Sequence, residues 1–522
     1  MSKLRILTAL ILGLTILPIC TGSSVFASEQ VQNRPVNSFP TLRILTSFRI
    51  KSLDPVKQGF WYSEFGAAEL LMKWDRDFTI KPWVLKSLRQ IDTLNWQLTL
   101  RPEVTFQNGK KLDANALAAL INRQLLLSPA ARANLPGATV KVTDRHHIIF
   151  TTQKPNPTIP NIFASESIFP IYDAELVNSV GSDYDRLAGK GMFTGPYEVV
   201  NLNDHALTLK RYREYWQGIP PLQGVRVGFI GDMQAKMLAI ENKEADIAIY
   251  VPSEAKLLYQ NRKDIFFVTT PKSREGIRLI FNTRIAPFDE ANVRRALGFG
   301  MNRKEIAEDV LNGVYYPAVG YYPRGFPFTV KNQRYDPVKA NKLLEENGWK
   351  RQKDGIRAKN GRRLSFVMLI YPQQPDLAPI AVTLQAQLRK IGFAMKIISV
   401  DSVKEAMLDK QILWNSSLAF DSSISGGGTP QLHRYIHSKG DRNYGGIENS
   451  DLDALIDELQ ITFNEQKRIE ILKKIQQIII EKKGYQFFVV TKLFPAVVSA
   501  AYQNYLPSHN WVHVSFETRP EN

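Results

Sequence analysis

Short strand patterns and capped helices alternate irregularly along almost the whole chain. Residues 41–50 alternate apolar and polar side chains, as a half-buried strand does, and residues 93–101 repeat that period. Asn302 with Glu305 three positions later predicts a helix start, because each side chain can cap the other's backbone N–H group. This mixture indicates an α/β protein and excludes a single barrel or a helical bundle.

Residues 1–27 have the pattern of a cleaved secretory signal. They begin with two basic residues, continue with an apolar run over residues 6–19, and end with Val25 and Ala27 at the small-residue positions before a cut. The apolar run is shorter than the ~20 residues that span a bilayer, which disfavours the alternative of a membrane anchor. We therefore predict cleavage after Ala27 and a soluble protein exported to the periplasm.

The single cysteine of the sequence, Cys20, lies inside this predicted signal. A lipid anchor at Cys20 is a further alternative, but the large Ile19 stands where such sites carry a small residue. Because no second cysteine exists, an intrachain disulfide, a cysteine-ligated zinc site and a CxxC redox centre are excluded. The mature chain is expected to contain no thiol.

The basic charge of the chain does not indicate nucleic acid. Lys and Arg number 67 and Asp and Glu number 50, which gives +17, and removing the two basic residues of the signal leaves +15. Basic pairs such as Lys110-Lys111 and Lys482-Lys483 stand far apart, without interleaved aromatic residues. Dispersed charge of this kind predicts a solvated surface.

No motif of an enzyme stands out. A phosphate-binding loop, a dinucleotide-binding turn and a nucleophile elbow are all missing where a strand meets a helix. His433 and His437 lie four apart, which would place both imidazoles on one helical face and permit metal ligation. No glutamate follows His433 in the manner of zinc proteases, so a surface or loop pair is the favoured interpretation.

Six short motifs occur in a fixed order between about residues 41 and 505. They are Ser52-Leu53-Asp54-Pro55, Leu98 to Gly109, Thr194-Gly195-Pro196-Tyr197, Tyr215-Trp216, Phe281 to Leu297, and Tyr335 to Trp349. Each motif alone is weak, but six in order are specific. The chain resembles the solute-binding proteins of the peptide/nickel family (family five), which serve ABC importers.

The resemblance implies a periplasmic-binding-protein-like fold of two hinge-linked lobes that close on a ligand, with an extra subdomain in lobe one. Residues 41–270 together with residues 488–522 would form a discontinuous lobe one, and residues 271–487 would form lobe two. Pro271 breaks the chain at the first of these boundaries. Hinge closure selects a ligand by burying it between the lobes.

The resemblance also implies which residues of lobe two contact the ligand. Asp421 stands where peptide-binding relatives hold the ammonium group of the ligand, although Leu418 replaces the aromatic residue that usually precedes this acid. A strand-end acid satisfied by backbone groups is the alternative for Asp421. Arg442, Asn443 and Tyr444 lie in a stretch similar to the N-Y-x-G segment of oligopeptide binders, where Arg442 is either a partner for a ligand carboxylate or an exposed loop charge.

In lobe one, the resemblance places ligand contacts just after the opening motif, at Gln58, Phe60, Trp61 and Tyr62. Three consecutive aromatic residues in a polar loop are hard to bury together, which favours a cleft wall. Glu166 stands at the best match for an arginine with which the nickel branch binds an anionic metal chelate. An acid at this position suits a cationic or zwitterionic ligand.

Peptide is therefore preferred over a nickel complex, although the nickel branch keeps a histidine near the position of His437. The implied mechanism is differential binding to the closed state, without covalent chemistry, catalytic residues or a cofactor. The expected partners are a short peptide or peptide-like solute and the ABC permease and ATPase at the inner membrane, with the protein itself a monomer. A secreted hydrolase and a sensor or chaperone on the same fold are the remaining alternatives.

Overall fold

The computed structural model describes residues 40–273, 275–372, 374–409, 413–422, 429–507 and 512–521. The predicted signal of residues 1–27, with Cys20, lies outside these ranges. Within them, no helix combines the length and the apolar character that a bilayer crossing requires.

The largest sheet has seven strands and contains the first and the last strand of the described chain. Its order is Ile265–Thr269, Pro495–Ser499, Ile247–Ile249, Thr41–Thr46, Gly224–Phe229, Ala206–Arg211 and Tyr197–Leu202. Thr41–Thr46 confirms the strand expected within residues 41–50. It runs parallel to both of its neighbours, whereas the other pairs are antiparallel.

An antiparallel sheet of four strands belongs to the same half of the molecule. Its order is Leu85–Gln90, Asn95–Leu100, His147–Thr151 and Thr139–Val142, and a separate ribbon pairs Met72–Trp74 with Ile80–Pro82. Trp96, Leu98 and Leu100 are buried on one face, as the period in residues 93–101 predicts. This sheet is the additional layer of lobe one.

The second half of the molecule is organised around a six-stranded mixed sheet. Its order is Tyr316–Pro317, Gln486–Lys492, Glu275–Phe281, Ser416–Ser422, Ser365–Ile370 and Ala394–Ser399, and a ribbon of Lys350–Arg351, Arg357–Lys359 and Arg362–Arg363 accompanies it. Glu275–Phe281 is buried at every position and pairs antiparallel with both neighbours. Ser365–Ile370 runs parallel to both of its own neighbours.

Helices cover the sheets of both halves. In the first half they are Pro55–Glu64, Ala114–Leu127, Pro129–Asn134, Ile159–Phe163, Ala174–Ser179, Met233–Glu241 and Ala255–Tyr259, with 3₁₀ turns at Tyr184–Leu187 and Ala500–Tyr502. In the second half they are Ala291–Gly300, Arg303–Glu305, Pro337–Glu346, Leu377–Lys390, Val403–Leu408, Thr429–Tyr435, Ser450–Ile461 and Glu465–Gln476. Two of these continue as π-helical turns, Ile306–Val310 and Gln477–Lys482.

The predicted capping box at Asn302 is only half formed. Asn302 Oδ1 accepts a hydrogen bond from the Glu305 N–H at 3.2 Å, as expected. The Glu305 carboxylate does not return to the Asn302 N–H but accepts from Gln387 Nε2 at 3.0 Å, while Gln387 Oε1 caps Asn302 at 3.0 Å. A tertiary contact thus replaces the local one, and the helix still begins where the sequence predicts.

Two hydrophobic cores define two lobes. One core is formed by buried residues between Leu42 and Ile249 and between Ala496 and Val514, and the other by residues between Ile277 and Leu493. Gln486–Lys492 pairs with Glu275–Phe281 and is therefore part of the sheet of lobe two. We propose a second crossing at about residue 493 instead of the expected 488, and keep the first at about residue 270.

Two of the six sequence motifs meet inside lobe one. Gln107, from the motif ending at Gly109, donates through Nε2 to the carbonyls of Gly195 at 2.9 Å and Tyr197 at 3.0 Å. A side chain at Gly195 would bring its Cβ within 2.5 Å of the Ala67 carbonyl oxygen, so the turn requires glycine. The residues of these two motifs therefore make packing contacts within lobe one.

Candidate functional site

A cavity of about 330 Å³ lies between the two lobes. Aromatic, aliphatic and proline side chains form most of its wall, and a few polar groups are set among them. Lobe one contributes Phe48, Met233, Ile249, Tyr250 and His513, and lobe two contributes Pro372, Gln374, Asp376 and Lys492. Apolar walls with a few polar groups, in a space of this size, are typical of a small-molecule site.

The cavity lies where strands of both sheets end. Ser47 and Phe48 follow Thr41–Thr46, and Tyr250 follows the parallel strand Ile247–Ile249. Lobe two repeats this arrangement, because residues 372–376 come after Ser365–Ile370 and Lys492 ends its own strand. Ligands of α/β proteins bind outside the carboxyl ends of strands, and here two such edges face one space.

Asp376 links the two lobes at the cavity. Its buried carboxylate accepts a hydrogen bond from the Ser253 hydroxyl of lobe one at 3.0 Å and from the Tyr315 hydroxyl of lobe two at 2.6 Å. A second link between the lobes runs from Lys256 Nζ to the Asn312 carbonyl at 2.7 Å. Burial, reinforced by Asp376, raises the pKa of Tyr315 well above its ordinary value, so Tyr315 remains a donor.

Lys236 supports the wall of lobe one from behind. Its fully buried ammonium group donates to Ser47 Oγ at 2.7 Å and to the carbonyls of Ile249 and Tyr250, both at 3.0 Å. Burial lowers the pKa of Lys236 to about 7, and the charge of Asp232 offsets only part of the loss of solvation. One lysine therefore fixes the ends of two strands that shape the cavity.

Lys236 should make the stability of the protein depend on pH. Between pH 7 and 10.5 the unfolded chain keeps a proton that folded Lys236 has lost, so the free energy of unfolding rises with pH, with a slope of up to about 1.4 kcal/mol per pH unit. We expect Lys236→Met to remove this slope in urea unfolding at pH 7.5–9.5. The exposed Lys86→Met is the matched control, and an unchanged slope in Lys236→Met would contradict the assignment.

Glu64 and His513 form a buried pair beside the cavity. Glu64 Oε2 lies 4.0 Å from His513 Nε2, and the Glu64 carbonyl accepts the His513 N–H at 2.7 Å. Burial lowers the pKa of His513 to about 3 and raises that of Glu64 well above its ordinary value, with a further contribution from the charge of Glu166. His513 is therefore neutral near pH 7 and adds no positive charge to the cavity.

The aromatic residues predicted for the cleft wall of lobe one are not in a polar loop. Phe60, Trp61 and Tyr62 belong to the helix Pro55–Glu64, and the helix buries Trp61 and Tyr62. Tyr62 is fully buried and donates to the Ser52 carbonyl at 2.6 Å, which makes it a core residue. The expected polar loop was wrong, because these residues are in a helix that directs successive side chains to different surroundings: Trp61 and Tyr62 are buried and Phe60 is half-buried.

Trp61 lies one layer behind the cavity. Its ring centroid is 5.5 Å from that of Phe48, which lines the cavity and also contacts Tyr250. Gln58 Oε1 accepts the Lys51 N–H at 3.3 Å, and Glu166 is half-buried in a turn. Among the predicted ligand contacts whose side chains are described, none lines the cavity itself.

The residues predicted in lobe two have mainly local partners. Arg442 Nη1 donates to the Tyr435 hydroxyl at 2.8 Å, and the Asn443 side chain bonds both the N–H and the carbonyl of Ile447 at 2.8 Å. Tyr444 accepts Arg284 Nη2 through its carbonyl. These contacts shape a loop of lobe two, and a ligand role for the three residues stays a prediction.

Asp421 is near the end of the strand Ser416–Ser422, and its backbone pairs with Gly276. Its side chain lies outside the described part of the structure. The sheet nevertheless brings the Asp421 backbone to the same edge as Lys492, because Glu275–Phe281 pairs with both strands. The ammonium-binding role of Asp421 stays a prediction.

The alternative metal residue, His437, lies near one imidazole, that of His433, and two carboxylates, those of Asp453 and Asp457. Nitrogen or oxygen atoms of His433, His437 and Asp457 all lie within 4.8 Å of one another. His437 Nδ1 accepts the Lys439 N–H at 3.0 Å, so a neutral imidazole carries its proton on Nε2, which lies 3.5 Å from Asp457. A neutral imidazole that ligates a metal through Nε2 carries its proton on Nδ1, which would face the Lys439 N–H, so the described arrangement does not favour nickel at this position.

Sequence reasoning misses the charged groups that line the cavity or support its wall. Lys492 is the one charged side chain in the buried strand Gln486–Lys492, and Lys236 shares a helix face with the buried Met237 and Ile240. A lone charge on an apolar strand or helix face is the signal that would have identified both. Asp376 follows Pro375 at the start of a helix, where its sequence position cannot be told apart from that of an ordinary helix cap.

Comparison with known proteins agrees with this geometry. A family model described as "Bacterial extracellular solute-binding proteins, family 5 Middle" matches residues 79–432. The nickel-binding protein NikA of Staphylococcus aureus is 24% identical over 440 residues, which cover 83% of this chain and 85% of that protein. The glutathione-binding protein GsiB of Escherichia coli O1:K1 / APEC is 28% identical over 351 residues, or 65% of each chain.

Solved structures share the same fold. S. aureus NikA in complex with Ni(L-His)2 covers 92% of this chain and 100% of its own, with a TM-score of 0.76 and 21% identity. The oligopeptide-binding protein AppA of Bacillus subtilis, in complex with a nonapeptide, covers 91% of this chain and 97% of its own, with a TM-score of 0.72 and 20% identity. These likenesses establish a two-lobed fold of the periplasmic-binding-protein type.

Proposed function

We propose, on the premise that this chain belongs to family 5 of the bacterial extracellular solute-binding proteins, that it captures a short peptide or peptide-like solute and delivers it to an ABC importer. The solute would bind between the lobes and stabilise their closed arrangement. Its binding energy would come from contacts with both lobes, without bond making or breaking.

The observation that carries this proposal is the cavity between the lobes. Its volume is at the low end of the range for small-molecule pockets, which suits a short peptide better than a long one. Its walls are mostly apolar, and its charged groups, Asp376 and Lys492, have opposite signs. A zwitterion with some apolar surface fits such a wall.

A nickel chelate is the second candidate, because relatives of both kinds exist. Anionic chelates call for positive groups, and among the described residues of the cavity wall no arginine occurs. The hydrogen bond that His437 Nδ1 accepts from the Lys439 N–H also argues against a metal at Nε2, because it excludes the tautomer that such a ligand needs. We therefore rank the peptide first.

Export through the signal of residues 1–27 and action outside the cytoplasm are part of this proposal. The permease and ATPase of an importer at the inner membrane are the proposed partners. A second copy of the chain has no role in it.

The proposal predicts binding of small free peptides. We expect Ala-Ala, Ala-Ala-Ala or glutathione to release or absorb heat in titration calorimetry and to raise the melting temperature. At a peptide concentration of 100 times Kd, the added stability is about 2.7 kcal/mol. N-acetylation of the tripeptide should weaken its binding at least tenfold if its ammonium group is recognised.

Nickel–histidine complexes form the second arm of this experiment. Heat with these complexes and none with peptides would overturn the peptide proposal in favour of nickel. No heat with either class would contradict transport of small peptides and chelates alike. Mass spectrometry of solute that copurifies with the native protein identifies the natural ligand.

A further inference from the structure

The ammonium group of Lys492 is buried at the cavity, and no carboxylate whose side chain the structure describes forms an ion pair with it. Lys492 is 8% exposed and ends a strand that is buried throughout. Asp376 and Glu275 attract it only from a distance, and both oxygens of Asp376 already accept from Ser253 and Tyr315. Among the described residues lining the cavity, Lys492 is the only lysine or arginine.

The contacts of Lys492 leave part of its donor capacity unused. Nζ donates to Gln374 Oε1 and lies 5.1 Å from the centroid of the Phe420 ring. An ammonium group has three N–H donors, and the described structure gives this one a single hydrogen-bond acceptor. Burial lowers the pKa of Lys492, because the ammonium group loses its solvation by water. An anionic ligand would compensate for that loss.

Gln374 adds a second donor beside the first. Its side-chain oxygen accepts from Lys492, which leaves the –NH₂ end of the same amide as a donor. Gln374 and Lys492 both line the cavity. An ammonium group and an amide –NH₂ side by side match the two oxygens of one carboxylate.

We propose that Lys492 and Gln374 form the subsite that binds the carboxylate of the solute. This inference rests on the proposed function and assigns the carboxylate to lobe two at the cavity. Arg442, the partner expected from sequence, instead donates to Tyr435 and does not line the cavity. Lysine binds an anion as a compact point charge, so the neighbouring amide –NH₂ supplies the second, directional donor to the carboxylate.

The test compares Ala-Ala with Ala-Ala amide, which lacks only the carboxylate charge. We expect the unchanged protein to bind Ala-Ala at least tenfold more tightly than the amide. Lys492→Met should weaken Ala-Ala by about 10- to 100-fold and the amide by less than about threefold, so that the ratio of the two affinities approaches one. Lys263→Met, an exposed lysine of lobe one, removes the same charge and should preserve the ratio.

Gln374→Glu keeps the size of the side chain and provides an independent test. A carboxylate at position 374 would pair with Lys492 and repel the solute, so this variant should lose Ala-Ala binding while retaining the amide. Equal binding of acid and amide by the unchanged protein, or undiminished Ala-Ala binding by Gln374→Glu, overturns the subsite but leaves the proposed function standing. Failure of the unchanged protein to bind any peptide, free or amidated, overturns both.

Discussion

Replacing Asp376 by alanine is expected to weaken solute binding by about 10- to 100-fold, because the lobes lose a hydrogen-bonded link at the cavity. The Asp376 carboxylate accepts from Ser253 of lobe one and from Tyr315 of lobe two. A hydrogen bond to a charged group contributes about 1.5–3 kcal/mol, and each 1.4 kcal/mol is about a factor of ten in affinity. Titration calorimetry with a peptide that binds the unchanged protein measures the loss.

Ser253→Ala is the matched variant for this experiment. It removes the hydroxyl donor of lobe one but leaves the Ser253 N–H, 3.4 Å from Asp376 Oδ1, and the bond between Asp376 and Tyr315, so we expect a smaller loss, of about 3- to 10-fold. Small-angle scattering without ligand should show a larger radius of gyration for Asp376→Ala than for the unchanged protein. Equal affinity and equal size of Asp376→Ala and the unchanged protein would contradict a linking role.

Glu69→Ala is expected to destabilise the fold, lowering the free energy of unfolding by about 3 kcal/mol. Glu69 is fully buried in lobe one and accepts from the Tyr215 hydroxyl at 2.7 Å and from Trp216 Nε1 at 3.0 Å. Alanine would leave the buried Tyr215 hydroxyl and the half-buried Trp216 N–H without this acceptor. Urea unfolding followed by tryptophan fluorescence measures the change.

Glu69→Gln is the control for this variant. Its amide oxygen keeps an acceptor for one of the two donors and its size fills the same space, so it should lose markedly less stability than alanine. If alanine and glutamine prove equally stable, the hydrogen bonds of Glu69 do not hold Tyr215 and Trp216. The expected result, a larger loss for alanine, would also explain why Tyr215-Trp216 is one of the six motifs, since both aromatic side chains donate to this buried acid.

Much of the fold could be predicted from the sequence because its signals are local. The strand Thr41–Thr46 and the face of Trp96, Leu98 and Leu100 follow from a period of two. The helix start at Asn302 follows from its capping side chain. Such features depend on neighbours a few residues away, and they are confirmed even where a tertiary contact, as at Glu305, changes one hydrogen bond.

The candidate site could not be predicted in the same way. Asp376, Lys492 and His513 come together from distant parts of the chain, and none has a local pattern that separates it from a cap, a strand end or a core residue. Family motifs did not supply them either. Thr283 of the motif beginning at Phe281 donates to the Gly445 carbonyl at 2.9 Å, so this motif also makes packing contacts within its lobe.

One strand near the end of the sequence determines the order in which the two lobes can be completed during synthesis. Pro495–Ser499 lies between Ile247–Ile249 and Ile265–Thr269 in the seven-stranded sheet, and it is the only strand with which Ile265–Thr269 pairs in the described structure. A growing chain makes both neighbours long before it makes this strand, with nearly all of lobe two in between. The first lobe to be synthesised is thus the last to be completed, and a chain cut short anywhere within lobe two would leave an open sheet edge and half a binding site.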